Sequence, residues 1–221
     1  MVIRGLSFAM QAGDSAVVIG PNGHGKTTLL RTISGLIKPA RGDVLWNGEP
    51  IGGQRPERIS NLGLVHVPQG DALFAEMTVA EDLMMGAFPA ASWGGREAAL
   101  ERVYGLFPGV HERADQRART LSGGERRMTA LGRGLMREPR LLMIDEPSLG
   151  LAPVMIDAVY KGIAELKAAS TTLLLVEENF THIQGLADVV HVVEMGQIVR
   201  SGTFEELSQD RTVVETYLGS L

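Results

Sequence analysis

The pattern of apolar and polar positions divides the chain into short buried strands and amphipathic helices. Three runs are apolar throughout: Val17-Val18-Ile19, Leu141-Leu142-Met143-Ile144 and Leu173-Leu174-Leu175-Val176. Each is too short for a helix, and none alternates with polar residues. Strands covered on both faces, as in a parallel sheet, read this way. Each run also ends in groups suited to chemistry. Gly20 opens a glycine-rich turn after the first, Asp145-Glu146 follows the second, and Glu177-Glu178 follows the third. Ligands of open α/β sheets bind at the carboxyl ends of the strands, so these ends predict one shared site.

Helices fill the intervals. The pattern predicts one over Lys26 to Leu36 and one over Gly123 to Met136, with Met128, Leu131 and Leu135 on a single face. A further helix is expected from Pro153, a residue suited to a first turn, to about Lys167. Residues 78–116 read as mostly helical, broken at Pro89, Gly94-Gly95 and Pro108-Gly109. They interrupt the α/β pattern and predict a separate helical lobe. Met1 to Gln11 and Asp43 to Asn47 read as short antiparallel strands at the other end. The expected organisation is a single domain over 1–221, with a core of 1–70 and 137–221 and a lobe of about 71–136.

Composition narrows the function classes. With 44 % hydrophobic and 21 % charged residues, the 221-residue chain reads as globular rather than disordered. A net charge of -5 gives no support to nucleic-acid binding, although a local basic patch stays compatible with it. With no cysteine, a disulfide framework, a thiolate zinc site and a cysteine nucleophile are excluded. A membrane span needs roughly 20 apolar residues, and the apolar runs here are a few residues long. The apolar stretch ending at Met10 is too short for a signal peptide. A cytoplasmic chain is expected.

The chemistry begins at Gly20-Pro21-Asn22-Gly23-His24-Gly25-Lys26-Thr27, which fits G-x-x-x-x-G-K-[ST]. The glycines let backbone N–H groups converge on a phosphate, and the helix that follows adds its positive end. Lys26 would reach the β and γ phosphates, and the Thr27 hydroxyl would hold Mg²⁺. The motif follows a predicted strand and precedes a predicted helix, as that mechanism demands. Asp145 and Glu146 end another strand, where one carboxylate can hold a metal shell and the other can orient water. An Asp there can equally cap the next helix. Leu121-Ser122-Gly123-Gly124-Glu125 places Ser122 as a helix N-cap, a second anion-binding terminus or simply a well-capped helix.

Together these segments resemble the ATP-binding subunits of ABC transporters, whose signature is LSGGQ or LSGGE. The motifs occur in the family's order: the Walker A motif at 20–27, Gln69 after a strand, the signature at 121–125, the Walker B motif at 141–146 and the switch near Glu178. Two further segments, Thr78-Val79-Ala80-Glu81-Asp82-Leu83 and Ser148-Leu149-Gly150-Leu151-Ala152-Pro153, look like the LivF type, which serves branched-chain amino-acid uptake. A related group serves urea. The resemblance implies an α/β P-loop NTPase core with an antiparallel β edge and an inserted helical subdomain.

It also implies MgATP hydrolysis coupled to import, of branched-chain amino acids or of urea or another small solute. A non-transport ABC ATPase is the rival, but such proteins usually carry two domains or a long coiled insertion, and neither is visible. A nucleotide-binding module with little hydrolysis is a further rival. In the family reading, Lys26, Thr27, Thr28 and the backbone from Asn22 onward bind phosphates. Gln69 touches Mg²⁺ and the attacking water. Asp145 supports the metal and Glu146 polarises the water. Ser122, Gly123 and Gly124 face the nucleotide of a second subunit. The partners implied are that subunit, integral membrane permease subunits and, indirectly, a solute-binding protein, with the chain held at the inner face of the membrane through the permease.

Two departures stand out. The family's adenine-stacking aromatic, usually Tyr, precedes the second strand. The chain begins after that segment, with Phe8 the nearest aromatic, so the expectation is a truncated start or looser adenine binding. The switch residue is usually His, often Gln in the LivF type, and here Glu178 stands in its place. The five His residues lack metal-ligand spacing. Met84-Met85 with Phe74 and Met77 reads either as a partner surface or as lobe core, and Arg113, Arg117 and Arg119 read as a solvated face.

Overall fold

The computed structural model describes residues 2–88 and 93–218. Its main sheet joins β1 (Ser15–Ile19), β4 (Leu64–Val67), β5 (Leu141–Asp145), β6 (Leu173–Glu177), β7 (Val189–Glu194) and β8 (Gln197–Gly202) in the order β4-β5-β6-β1-β7-β8. Neighbours are parallel except β7 with β8, which pair antiparallel. The predicted apolar runs are β1, β5 and β6, and each is buried along its length. Alternate residues face opposite sides. Val17, Ile19, Leu142, Ile144, Leu173 and Leu175 join one hydrophobic cluster, while Ala16, Val18, Met143, Leu174 and Val176 join the other.

The second cluster is closed by α1 (Lys26–Ile33) through Leu29, Leu30 and Ile33. This helix stops short of the predicted Leu36. Gly35 turns the chain with φ +78°, and a Cβ there would lie 2.5 Å from the Gln54 carbonyl oxygen, so the turn is built for glycine. Of the strand predicted over Met1 to Gln11, the described residues 2–11 form no ladder and bend at Gly5, where φ is +80°; they are tied by the Arg4 N–H to the Gly196 carbonyl at 2.8 Å. Ile3, Leu6, Phe8 and Met10 pack on the cluster, so the alternation reports one buried face rather than strand pairing. Of Asp43 to Asn47, β2 (Leu45–Trp46) pairs antiparallel with β3 (Glu49–Pro50) across Asn47-Gly48, both at positive φ as a tight hairpin turn demands.

The first cluster is covered by helices. After a short α2 (Pro56–Asn61), the segment after β4 gives α3 (Val79–Gly86), α4 (Arg96–Leu106), α5 (Pro108–His111) and α6 (Gly123–Leu135). Gly95 caps α4, and Pro108 starts α5, as the predicted breaks require. The break at Pro89 lies outside the described residues. Thr78 and Glu81 form a capping box that starts α3. Helix α3 crosses α6 so closely that a Cβ on Gly86 would lie 2.0 Å from the Arg133 carbonyl oxygen.

Helix α7 (Pro153–Ala168) lies beside α6, and Phe107 fills the space where Gly162 of α7 has no side chain. Residues of α3, α4 and α6 share one cluster with the sheet face. Met84 packs against that cluster, whereas Phe74 and Met85 are exposed. Arg117 and Arg119 are exposed and Arg113 half-buried, and all three are paired, Arg113 with Glu125 and the other two with Glu76. The described residues end with α8 (Phe204–Gln209), α9 (Arg211–Val213) and a π-helical turn over Val214–Leu218. No helix among the described residues is long and apolar enough to cross a membrane.

Phe107 is fully buried where the helices of the inserted segment meet α7. Phe107→Ala is expected to cost about 3–5 kcal/mol, read as a lower urea midpoint in equilibrium unfolding.

Candidate active site

Strand β1 ends at Ile19, and Gly20 passes so near the next strand that a Cβ would lie 2.2 Å from the Val193 carbonyl oxygen. Gly23 and Gly25 take φ of +80° and +105°, which curls the loop back over α1. No side chain caps α1. Its first N–H groups therefore point into a cleft of about 280 Å³, lined by Asn22, Gly23, Gly25, Lys26, Thr27 and Thr28. The loop is pinned from outside. Asn22 Nδ2 donates to Glu178 Oε2 at 3.0 Å. His24 Nδ1 accepts from the Met195 N–H at 3.3 Å, and the His24 carbonyl accepts from the Gly196 N–H at 3.1 Å. Beneath the loop Lys26 is buried, with Nζ donating to the carbonyls of Gly20 at 2.6 Å and Pro21 at 3.2 Å.

The end of β5 brings the two carboxylates to the same cleft. Asp145 is fully buried; its Oδ1 accepts from the Thr27 hydroxyl at 3.2 Å, and its Oδ2 has no hydrogen-bond partner. Burial pushes its carboxyl above the usual range, against the pull of the Thr27 hydroxyl and of Arg127, Arg31 and Lys26. An oxygen-only set with an orphaned buried carboxylate atom fits a hard divalent cation such as Mg²⁺. Glu146 adopts φ +46°, a strained conformation for a residue with a side chain. Its Oε2 accepts from Gln69 Nε2 at 3.0 Å, and its Oε1 lies 3.7 Å from Lys26 Nζ. Burial raises the Glu146 carboxyl; Lys26 opposes the shift, and the charges of Asp145, Glu178 and Glu177 add to it.

The end of β6 carries two glutamates with different surroundings. Glu178 is exposed, held to Asn22. Glu177 is buried and accepts from the hydroxyls of Ser148, at 2.9 Å, and Tyr160, and from the Glu178 N–H at 2.9 Å. Sequence reasoning singled out Glu178 and passed over Glu177, which ties the turn after β5 to the turn after β6. The missed signal was position: Glu177 still belongs to the all-buried strand.

The structure thus gathers Gly20, Pro21, Asn22, Gly23, His24, Gly25, Lys26, Thr27, Thr28, Gln69, Asp145, Glu146 and Glu178 around one cleft. Ser122, Gly123 and Gly124 stand apart, with no hydrogen bond to that cluster among the described residues. Ser122 caps α6 in a box with Glu125, which Arg113 braces at 3.1 Å. Gly124 is buried where a Cβ would lie 2.2 Å from Met155 Cε.

This arrangement coincides with a family-wide match: residues 3–149 fit the description "ABC transporter". The chain belongs to the ABC transporter family. It is an ATP-binding and ATP-hydrolysing ABC subunit with the P-loop NTPase fold. Among its relatives, the high-affinity branched-chain amino acid transport ATP-binding protein BraG of Pseudomonas aeruginosa is 39 % identical over 217 residues, covering 98 % of this chain and 93 % of the relative. The probable branched-chain amino acid transport ATP-binding protein LivF of Archaeoglobus fulgidus is 34 % identical over 206 residues, 91 % of this chain and 86 % of its own length. An ATP-binding cassette of an ABC transporter, solved in its ADP conformation, superposes with TM-score 0.83 at 29 % identity, over 99 % of this chain and 93 % of that one.

The buried carboxyls of this ABC subunit bear on its stability. Their folded-state pKa values lie above the unfolded ones, so the native state binds their protons more tightly. The ionised forms cost nothing below the unfolded pKa; the cost grows as pH rises through the window up to the folded pKa and is constant above it. Asp145→Asn and Glu146→Gln are therefore expected to raise the Tm of the nucleotide-free protein at pH 8. The gain should shrink as pH falls toward the unfolded carboxyl pKa of about 4, a trend that thermal melts across pH measure directly.

Proposed function

We propose that the chain powers an importer of branched-chain amino acids, as one of two ATP-binding subunits held at the cytoplasmic face of the membrane by permease subunits. The observation that carries this reading is the convergence of Lys26, the Thr27–Asp145 pair and the Gln69–Glu146 pair on one phosphate-sized cleft. The kinship to BraG and LivF, both named as branched-chain amino acid transport ATP-binding proteins, supports the solute class, and a solute-binding protein would select the solute outside.

ATP would enter with its phosphates against the loop from Gly20 to Thr28. Lys26 Nζ would exchange the Gly20 and Pro21 carbonyls for β and γ phosphate oxygens. Thr27, Asp145 and Gln69 would hold Mg²⁺, which when bound offsets phosphate charge. Glu146 would accept a hydrogen bond from water, oriented by the Gln69 amide. As the water oxygen bonds to the γ-phosphorus and the bond to the β–γ bridging oxygen breaks, Glu146 takes the water proton. Its raised pKa suits a base that must receive and return a proton.

Ser122, Gly123 and Gly124 stand away from the chain's own cleft, which fits a role on the nucleotide of a second subunit. A groove of about 330 Å³ is lined by Val67, Asp71, Phe74, Met85, Arg133 and Arg137, and with a core of 1–70 and 137–221 and a lobe of about 71–136 it would lie between the two. A permease segment would dock there, with the exposed Phe74 and Met85 as its apolar contacts.

Glu146→Gln is expected to keep ATP affinity within about threefold and to lower turnover at least about a hundredfold, with ATP holding two chains together in gel filtration. Wild-type turnover by Glu146→Gln would refute the assignment. Ser122→Arg should abolish hydrolysis while sparing ATP binding to the monomer. Glu178→Gln, which removes a carboxylate beside the γ-phosphate position, should hydrolyse ATP faster at neutral pH. With the permease and receptor in proteoliposomes, leucine should stimulate the ATPase; stimulation by urea alone would overturn the solute class.

A further inference from the structure

Arg127 lies on α6 little more than one turn beyond Ser122, and its side chain is buried at 3 % exposure. Its Nη1 donates to the carbonyls of Pro68 at 2.8 Å and Gly70 at 2.9 Å, the residues on either side of Gln69. Its Nη2 donates to the carbonyl of Asp145 at 2.7 Å, the peptide that leads into Glu146. One planar group therefore grips both turns from which the Gln69–Glu146 hydrogen bond is made. The three bonds go to backbone carbonyls, and Nε is without a partner. Burial pulls the Arg127 pKa down, while the nearby charges of Asp71, Asp145 and Glu177 support its charged form.

A buried cation held by neutral carbonyls is a costly way to gain stability. Its geometry, by contrast, is specific: a rigid fork sets the separation of two loops, which a flexible ammonium cannot do. The fork also sits on the helix whose first turn carries Ser122 and Gly124. Hence we infer that Arg127 is a positioning residue that couples the signature helix to the chain's own Gln69–Glu146 pair. Whatever closes on Ser122 and Gly124 then adjusts the water-polarising group of the same chain. The inference rests on the ATPase reading above.

The test compares full-length Arg127→Met and Arg127→Lys with the parent, measuring MgATP affinity by titration calorimetry and turnover by phosphate release. Arg127→Met is expected to bind ATP within about threefold of the parent and to lose at least about tenfold in kcat, since small misplacements of reacting groups cost rate rather than binding. Arg127→Lys, with its charge but no fork, should recover a minor part. A Ser122→Ala/Arg127→Met cycle reads the coupling: the two losses in kcat should combine to less than their product. Arg127→Met turnover within about twofold of the parent would overturn the proposal. So would equal losses of binding and turnover, multiplicative losses in the cycle, or failure of both Arg127 variants to fold. A parent that bound ATP without hydrolysing it would instead sink the ATPase reading.

Discussion

Ile19 of β1 pairs with Glu177 of β6, and Val176 of β6 pairs in turn with Asp145 of β5, across parallel strands. That lateral register places the end of β1, where the phosphate loop begins, level with both carboxylate-bearing strand ends. A parallel sheet makes such convergence possible because all carboxyl ends open on one edge. The Thr27–Asp145 bond, the Lys26–Glu146 approach and the Asn22–Glu178 bond each join two strand ends that the register has already brought together. A slip of one residue would turn every alternating side chain to the wrong cluster, which is why the fully buried strands hold the site so firmly.

The cleft is built around buried charges that are only partly compensated. Lys26 turns back on the carbonyls of its own loop. Asp145 keeps an oxygen unpaired, and Glu146 sits in a left-handed conformation with its carboxyl raised by burial. Such features are unfavourable for folding and favourable for function. The same groups suit the polyphosphate of a nucleotide, and would suit a hard cation beside it.

Helix α6 joins distant parts of the molecule. Its N-terminus carries the signature residues, its middle packs against α3 and α4, and its Arg127 reaches the turns after β4 and β5. The inserted helices share one continuous hydrophobic cluster with the sheet face. The helix that carries Ser122 is thus joined to the turns of the Gln69–Glu146 pair, through packing and through one guanidinium.

By itself the sequence determined the three buried strands β1, β5 and β6, the phosphate loop and the helices that follow them, because each is written in local pattern: unbroken apolar runs, spaced glycines, a cap followed by an amphipathic stretch. Gly20 through Thr28, Asp145, Glu146 and Ser122 were legible for the same reason. Tertiary structure decided what depends on partners far along the chain. Residues 2–11 alternate like a strand but find no ladder, α1 ends early because Gly35 meets Gln54, and Met84 is packed while Met85 is exposed. Glu177 and Arg127 look from sequence like one more acid at a strand end and one more base on a helix. Only their burial, and the hydroxyls and carbonyls supplied by remote segments, make them the ties of the site, since hydrogen-bond partners are set by packing and not by neighbours in the chain.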